Sequence, residues 1–229
     1  MTEPALILDN VRFRWPGQAS FGLSVSEFAV QPGESVLLLG ESGSGKSTLL
    51  SLICGIVTAD AGQVTIGGTD VSSLNAGARD RLRAEGIGVI FQQFNLLPYA
   101  SVSDNILLPL CFAPERRKRA AVNEAAVLCT ALGLPKDILT ASAGRLSVGQ
   151  QQRVAVARAL IGQPPLIVAD EPTSALDAAT QDTFLRLLFD RIAATRSSLL
   201  MVSHDERLGE RFDRVVRLTD IAQIERHAA

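Results

Sequence analysis

Residues 40–47 (GESGSGKS) combine glycines, a lysine and a serine at the spacing GxxxxGK[ST] of a phosphate-binding loop. The glycines allow the backbone to curl so that successive N–H groups face phosphate oxygens. Lys46 is expected to reach the β- and γ-phosphates, and Ser47 to offer its hydroxyl to Mg²⁺. An ordinary glycine-rich turn is the weaker interpretation. The residues predicted to line the site are Gly40, Ser42, Gly43, Gly45, Lys46, Ser47 and Thr48.

A second candidate site lies at residues 166–171 (LIVADE), where an apolar run ends in two carboxylates. In an α/β sheet, ligands bind at the carboxyl ends of the strands. We therefore interpret Asp170 as the metal-side carboxylate of a Walker B motif and Glu171 as the group that orients or deprotonates the attacking water. Taken alone, an acidic pair before Pro172 would more often be a turn or helix cap.

The elements that hold these groups follow from the apolar periodicity. Short alternating stretches in residues 5–30, broken at Pro16–Gly17, predict antiparallel strands. Four continuous apolar runs predict buried parallel strands with helices on both faces of the sheet, at residues 35–39, 87–91, 166–169 and 199–202. Residues 94–162 predict a helical lobe, and the charge run 115–119 (ERRKR) in it predicts a solvated helical face rather than a lipid or partner contact.

The bulk properties bound the possible functions. A chain of 229 residues with 47% hydrophobic residues predicts one domain over residues 1–229. Its net charge of -2 gives no basic field that would recruit nucleic acid. No apolar stretch reaches the roughly 20 residues of a membrane span, and the first residues lack the features of a signal peptide. Cys54, Cys111 and Cys129 are expected to be buried, reduced thiols of a cytoplasmic protein.

Residues 146–153 (LSVGQQQR) resemble the signature sequence of the ATP-binding-cassette (ABC) transporter ATPases, usually written LSGGQ. The resemblance extends to Gln92 as the Q-loop residue, Asp177 in the D-loop and His204 as the switch histidine. It implies an ABC cassette: an α/β P-loop NTPase with a mostly parallel core sheet, an N-terminal antiparallel β subdomain and a helical lobe that carries the signature.

The same resemblance implies ATP and Mg²⁺ as ligands and a head-to-tail homodimer with two sandwiched ATP molecules. It assigns Ser147, Gly149, Gln150 and Asp177 to nucleotide held across the dimer, where a helix N-terminus after the signature would favour a γ-phosphate. The catalytic residues that it implies are Lys46, Gln92, Glu171 and His204. The metal site that it implies comprises Ser47, Gln92 and Asp170.

Three details of the resemblance depart from the usual pattern or leave a choice. Trp15 matches the aromatic residue that stacks on adenine, and Phe13 is the alternative. Gln92 is preferred to its neighbour Gln93 because it follows residues 87–91 directly. Val148 replaces the first glycine of the signature pair, which predicts either an ordinary backbone conformation at that position, the preferred interpretation, or a weakened site.

The amino-acid sequence of residues 91–99 and 105–110 resembles that of the ATPases in the macrolide-export, lipoprotein-release and cell-division branch of the family. This implies a separate integral membrane subunit, docked near Phe94, Leu97 and Tyr99 on the cytoplasmic face of the membrane. These side chains could equally form the core of the helical lobe. An ATP-gated scaffold without transport and the ATPase of a polar amino-acid importer remain alternatives. Because the segment after His204 is short, no C-terminal regulatory domain is expected.

Overall fold

The computed structural model describes residues 3–16, 21–41, 43–174, 176 and 178–226. The strands in chain order are β1 (Leu6–Arg14), β2 (Phe21–Val30), β3 (Ser35–Leu39), β4 (Ala61–Ile66), β5 (Thr69–Asp70), β6 (Ile87–Ile90), β7 (Leu166–Asp170), β8 (Ser198–Ser203), β9 (Arg214–Arg217) and β10 (Ala222–Arg226). The α-helices are α1 (Lys46–Ile53), α2 (Ala76–Gly86), α3 (Val102–Leu107), α4 (Pro114–Arg119), α5 (Glu124–Ala131), α6 (Val148–Leu160), α7 (Ala178–Thr195) and α8 (Leu218–Ile221).

The chain forms two compact units, Met1–Arg83 with Ser198–Ala229, and Ala84–Ser197. The first unit contains the predicted antiparallel sheet, in the order β10-β2-β1-β4-β5. In the same unit β3 lies between β8 and β9 and pairs with both in parallel. The segment after His204, which the sequence left without strands, supplies β9 and β10. The single domain over residues 1–229 stays a prediction.

Buried and exposed side chains alternate along β1, and this alternation shifts once, at Asn10. The shift determines which side chains point into the core of the first unit. Leu6 and Leu8 are buried, and after Asn10 the buried positions become Val11 and Phe13. Asn10 has a left-handed backbone (φ 48°) where the register with β4 shifts. An extra residue of this kind switches the face that the following side chains occupy.

The second unit contains the parallel pair β6 and β7, in the register Val89 opposite Val168, together with the predicted helical lobe. Residues 94–162 are all described and contain no strand beyond an isolated bridge between Ser101 and Ser142. The core of the lobe is α6, whose residues 154–157 are fully buried. The predicted fold class is therefore confirmed. The strand predicted over residues 87–91 ends one residue earlier, at Ile90.

The predicted solvated face at residues 115–119 is wrong for Arg116. Arg117 and Lys118 are exposed, but Arg116 is only 1% exposed. Its guanidinium donates hydrogen bonds to the carbonyls of Ala159 and Ile161, both at 2.7 Å. These carbonyls belong to the end of α6, where the last turn has no intrahelical donors. Arg116 therefore caps α6 from a distant helix.

The cysteine prediction holds at two of three positions. Cys54 and Cys129 are buried, and burial raises the pKa of the Cys129 thiol to about 11. Cys111 is exposed, contrary to the prediction. It ends a short 3₁₀-helix (Leu108–Cys111) in which Leu110 is the buried residue. One apolar side chain is enough to anchor this turn, so the thiol faces outward.

Candidate functional site

The phosphate loop joins β3 to α1 in the predicted way. Gly43 and Gly45 have left-handed backbones, with φ 74° and 89°. A residue with a side chain would be strained in that conformation. Gly45 is also the N-cap of α1. It has no side chain to cap the helix, so the first N–H groups of α1 suit an anionic ligand.

Two polar side chains inside the loop are complementary to phosphate oxygens. Lys46 is buried, and its ammonium donates to the carbonyls of Gly40 (2.7 Å) and Glu41 (2.8 Å), which folds the loop around the charge. The Ser44 hydroxyl is buried without a hydrogen-bond partner among the described residues. Such a group usually indicates an absent ligand or water. A phosphate oxygen would accept from Ser44, a residue that the sequence motif did not single out.

Trp15 is hydrogen-bonded to α1, the helix that follows the phosphate loop. Its indole N–H donates to the Thr48 hydroxyl at 3.2 Å, and its ring meets the Phe13 ring edge to face, with centroids 5.1 Å apart. Phe13 is buried in the sheet core, whereas Trp15 is half-buried. Trp15 is therefore the better placed of the two candidate aromatic residues. Thr48, predicted to bind nucleotide, orients the indole.

His204 lies at the same end of the first unit as the phosphate loop. It directly follows β8, and the last residue of that strand, Ser203, accepts a hydrogen bond from the Gly40 N–H at 3.2 Å. The Ser203 hydroxyl accepts from the Asp205 N–H at 3.0 Å, which fixes the turn around His204. The imidazole is exposed. The first unit thus brings together Trp15, the phosphate loop and His204.

In the second unit the two carboxylates follow β7 as predicted. Asp170 is the last residue of the strand and Glu171 begins a turn, and both are half-buried. Because Ile90 pairs with Ala169, Gln92 leaves β6 at the same edge at which β7 ends. Gln92 and Gln93 are both exposed in one turn. The choice of Gln92 therefore stays a prediction.

The signature itself forms the first turn of α6, whereas we expected the helix to begin after the signature. Ser147 is the N-cap: its hydroxyl accepts from the Gln150 N–H at 3.3 Å, and the Gln150 side chain accepts from the Ser147 N–H at 3.0 Å. This S-x-x-Q capping box was a readable signal that our interpretation missed.

The substituted signature position keeps an ordinary backbone, as predicted. Val148 is the first residue of α6 and is exposed. A Cβ added to Gly149 would meet nothing nearer than an Arg153 nitrogen at 3.9 Å, so the protein leaves room for a side chain at this position. Ser42 and Asp177, the remaining predicted site residues, lie outside the described residues.

The predicted docking segment divides between core and surface. Phe94 is 8% exposed and belongs to the core of the lobe, Leu97 is half-buried, and Tyr99 is 82% exposed. The buried Asn105 side chain accepts from the Leu97 N–H (2.7 Å) and donates to the Leu97 carbonyl (3.1 Å). The segment is therefore held by its backbone while Tyr99 faces solvent. No helix in the described part of the chain combines the length and the apolar character needed to cross a membrane.

Comparison with known proteins identifies the family. A family model described as ABC transporter matches residues 23–174. The lipoprotein-releasing system ATP-binding protein LolD of Novosphingobium aromaticivorans is 41% identical over 220 residues, which cover 95% of this chain and 97% of LolD. YbbA of Escherichia coli K12, an uncharacterized ABC transporter ATP-binding protein, is 40% identical over 207 residues, which cover 89% of this chain and 90% of YbbA.

Solved structures give the same result. The dimeric structure of MJ0796, a bacterial ABC transporter cassette, matches with a TM-score of 0.78 at 32% identity and covers 98% of this chain and 99% of MJ0796. A post-hydrolysis dimer of MJ0796 bound to ADP and Pi matches with a TM-score of 0.77 at 31% identity and the same coverage. Since these matches agree with the phosphate loop, the strand-end carboxylates and the signature helix, the chain belongs to the ABC transporter family, as an ATPase cassette.

Proposed function

We propose that this cassette works as a head-to-tail homodimer with ATP sandwiched between the subunits, and that hydrolysis drives a separate membrane subunit in lipoprotein release. The similarity to LolD over nearly the whole of both chains supports this cargo class, and the dimers of MJ0796 support the assembly. The proposed location is the cytoplasmic face of the membrane, where ATP is available.

The observation that carries the nucleotide site is the phosphate loop with its buried Ser44 hydroxyl. The loop provides backbone N–H groups, the Lys46 ammonium and this hydroxyl, all of which are complementary to phosphate oxygens. Trp15 would stack on adenine, held by its bond to Thr48. Ser47, Gln92 and Asp170 offer the hydroxyl, amide and carboxylate oxygens that suit Mg²⁺, whose charge would offset that of the phosphates.

The proposed reaction transfers the γ-phosphoryl group to water. Glu171 accepts a proton as the water oxygen attacks the γ-phosphorus, the bond from phosphorus to the bridging oxygen breaks, and ADP and phosphate leave. Lys46 and His204 offset the negative charge on the phosphoryl oxygens. The γ-phosphate also meets Ser147 and Gly149 of the other subunit, at the N-terminus of α6. ATP binding then closes the dimer, and its hydrolysis releases it.

The Glu171→Gln variant tests this assignment. Gln has nearly the same shape as Glu but cannot accept the proton, so we expect ATP binding to persist while kcat falls about 100-fold or more. Size-exclusion chromatography with ATP should show a trapped dimer. Glu210→Gln, which changes an exposed carboxylate of the first unit, is the matched control. If Glu171→Gln hydrolyses ATP as fast as this control, the catalytic assignment is wrong.

A further inference from the structure

The backbone at Glu171 adopts a conformation that its sequence disfavours. Its φ is 42°, in the left-handed region, although Glu171 is not a glycine. The next residue is Pro172, and a residue before proline is normally driven to extended conformations. A conformation of this kind costs about 1–3 kcal/mol and persists only where surrounding groups hold it in place. The structure therefore needs a group that fixes the Glu171–Pro172 segment.

A buried glutamine of α6 provides such a group. Gln152 is only 1% exposed, and its side-chain amide donates a hydrogen bond to the Pro172 carbonyl. Pro172 is itself buried, so that carbonyl has no solvent to turn toward. A buried polar group that loses its partner costs about 1–3 kcal/mol. The bond therefore opposes rotation about the Cα–C bond of Pro172, the residue that follows Glu171.

Two further hydrogen bonds hold the same segment, one within the turn itself and one from a side chain of α7. The Ser174 N–H donates to the Glu171 carbonyl at 3.2 Å, and the Gln181 side chain donates to the Thr173 hydroxyl at 3.1 Å. Of these contacts, the bond from Gln152 is the one that a side chain makes to the backbone of the segment, at the Pro172 carbonyl, one peptide beyond Glu171. It reaches the segment from α6, five residues beyond the signature Ser147.

We infer that Gln152 is a positioning residue for hydrolysis: its amide holds the Pro172 carbonyl and thereby keeps Glu171 in the left-handed conformation that presents its carboxylate to the attacking water. The inference rests on the proposed role of Glu171. Gln152 itself makes no contact with ATP or water in this scheme. Its loss should lower kcat and leave the KM for ATP nearly unchanged, because the groups proposed to bind ATP remain in place.

The test uses Gln152→Met, which keeps the length of the side chain and removes the donor. Because small displacements of a catalytic group can cost about 100-fold in rate, we expect kcat to fall at least 10-fold while KM for ATP changes less than twofold. If Gln152→Met does not fold, Gln152→Glu decides the question. That variant keeps the shape and replaces the N–H donor with a carboxylate, so the same loss of kcat is expected.

Ser197→Ala is the matched control. Ser197 is buried in the same unit, and its hydroxyl donates to another proline carbonyl, that of Pro164, at 2.7 Å. Pro164 precedes β7, whereas Pro172 follows it. The control should lower Tm at least as much as Gln152→Met and leave kcat within twofold of the unchanged protein. Loss of kcat in proportion to Tm in both variants would overturn the inference, as would a kcat within twofold for Gln152→Met.

Glu171→Gln, measured in parallel, separates the two levels of the proposal. If Glu171→Gln abolishes hydrolysis and Gln152→Met does not lower kcat, only the positioning role fails. If Glu171→Gln retains hydrolysis, the proposed catalytic role of Glu171 fails, and the inference about Gln152 fails with it.

Discussion

Arg116→Met should strongly destabilise the protein, although Arg116 lies in a run of charged residues. The guanidinium makes four hydrogen bonds of 2.7–3.0 Å and one of 3.5 Å, all to backbone carbonyls. Three of these carbonyls close the end of α6, and those of Ala84 and Ile87 flank the start of β6. Methionine fills much of the same volume but has no donor, so it would leave these carbonyls without their partner.

The expected magnitude follows from two opposing terms. A hydrogen bond from a charged donor contributes about 1.5–3 kcal/mol, so the four short bonds together contribute about 6–12 kcal/mol. Burial lowers the pKa of Arg116 to about 10, and this shift corresponds to about 3 kcal/mol against the charged form. The side chain therefore stays charged at neutral pH. The difference between the two terms is about 3–9 kcal/mol, so we expect a loss of at least about 3 kcal/mol.

The assay is thermal or urea unfolding of the purified chain. For a protein of this length, 1 kcal/mol corresponds to about 2–4 °C in Tm, so the Tm of Arg116→Met should fall by about 10 °C. Arg117→Met removes the same charge from the exposed neighbouring position and should change stability by less than about 0.5 kcal/mol. Indistinguishable unfolding curves for the two variants would refute the argument that Arg116 caps α6.

Three further predictions concern packing, the dimer and the membrane subunit. Gly88→Ala should cost about 1–3 kcal/mol, read by urea unfolding, because a Cβ at Gly88 would lie 2.1 Å from the Ala159 carbonyl oxygen. Lys46→Ala should abolish ATP binding by the monomer, whereas Ser147→Arg should preserve it and block the ATP-dependent dimer; equal loss in a binding assay would contradict the head-to-tail arrangement. Tyr99→Glu should release the chain from membranes that contain its partner, with Val122→Glu, exposed on the same lobe, as the control; a Tyr99 variant that stays bound would exclude this docking surface.

The groups that carry the chemistry could be predicted because their information is local. The left-handed glycines, Lys46 and Ser47 lie within one short loop, and a glycine can adopt those conformations wherever the loop is placed. The signature was also recognisable from contiguous residues. Its helix start was missed only because the capping box of Ser147 and Gln150 was not used as a boundary signal.

Other features depended on partners that are distant in sequence. Arg116 looks like its exposed neighbours, and its burial is compensated by backbone carbonyls at positions 84, 87, 158, 159 and 161, which lie far from it in sequence. Phe94 and Tyr99 are both aromatic, yet the packing of the lobe buries one and exposes the other. Hydrophobicity alone could not separate them, because burial depends on which face of a segment meets the core.

By itself, therefore, the sequence determined the phosphate loop, the strand-end carboxylates, the signature and the family, since each is a short pattern with its own backbone preferences. Only the tertiary structure decided the left-handed conformation of Glu171 and the bond from Gln152 that lies beside it. The local preference at Glu171 opposes that conformation. A conformation that local preference opposes requires contacts made by the rest of the fold, and those contacts exist only once α6 and β7 have packed together.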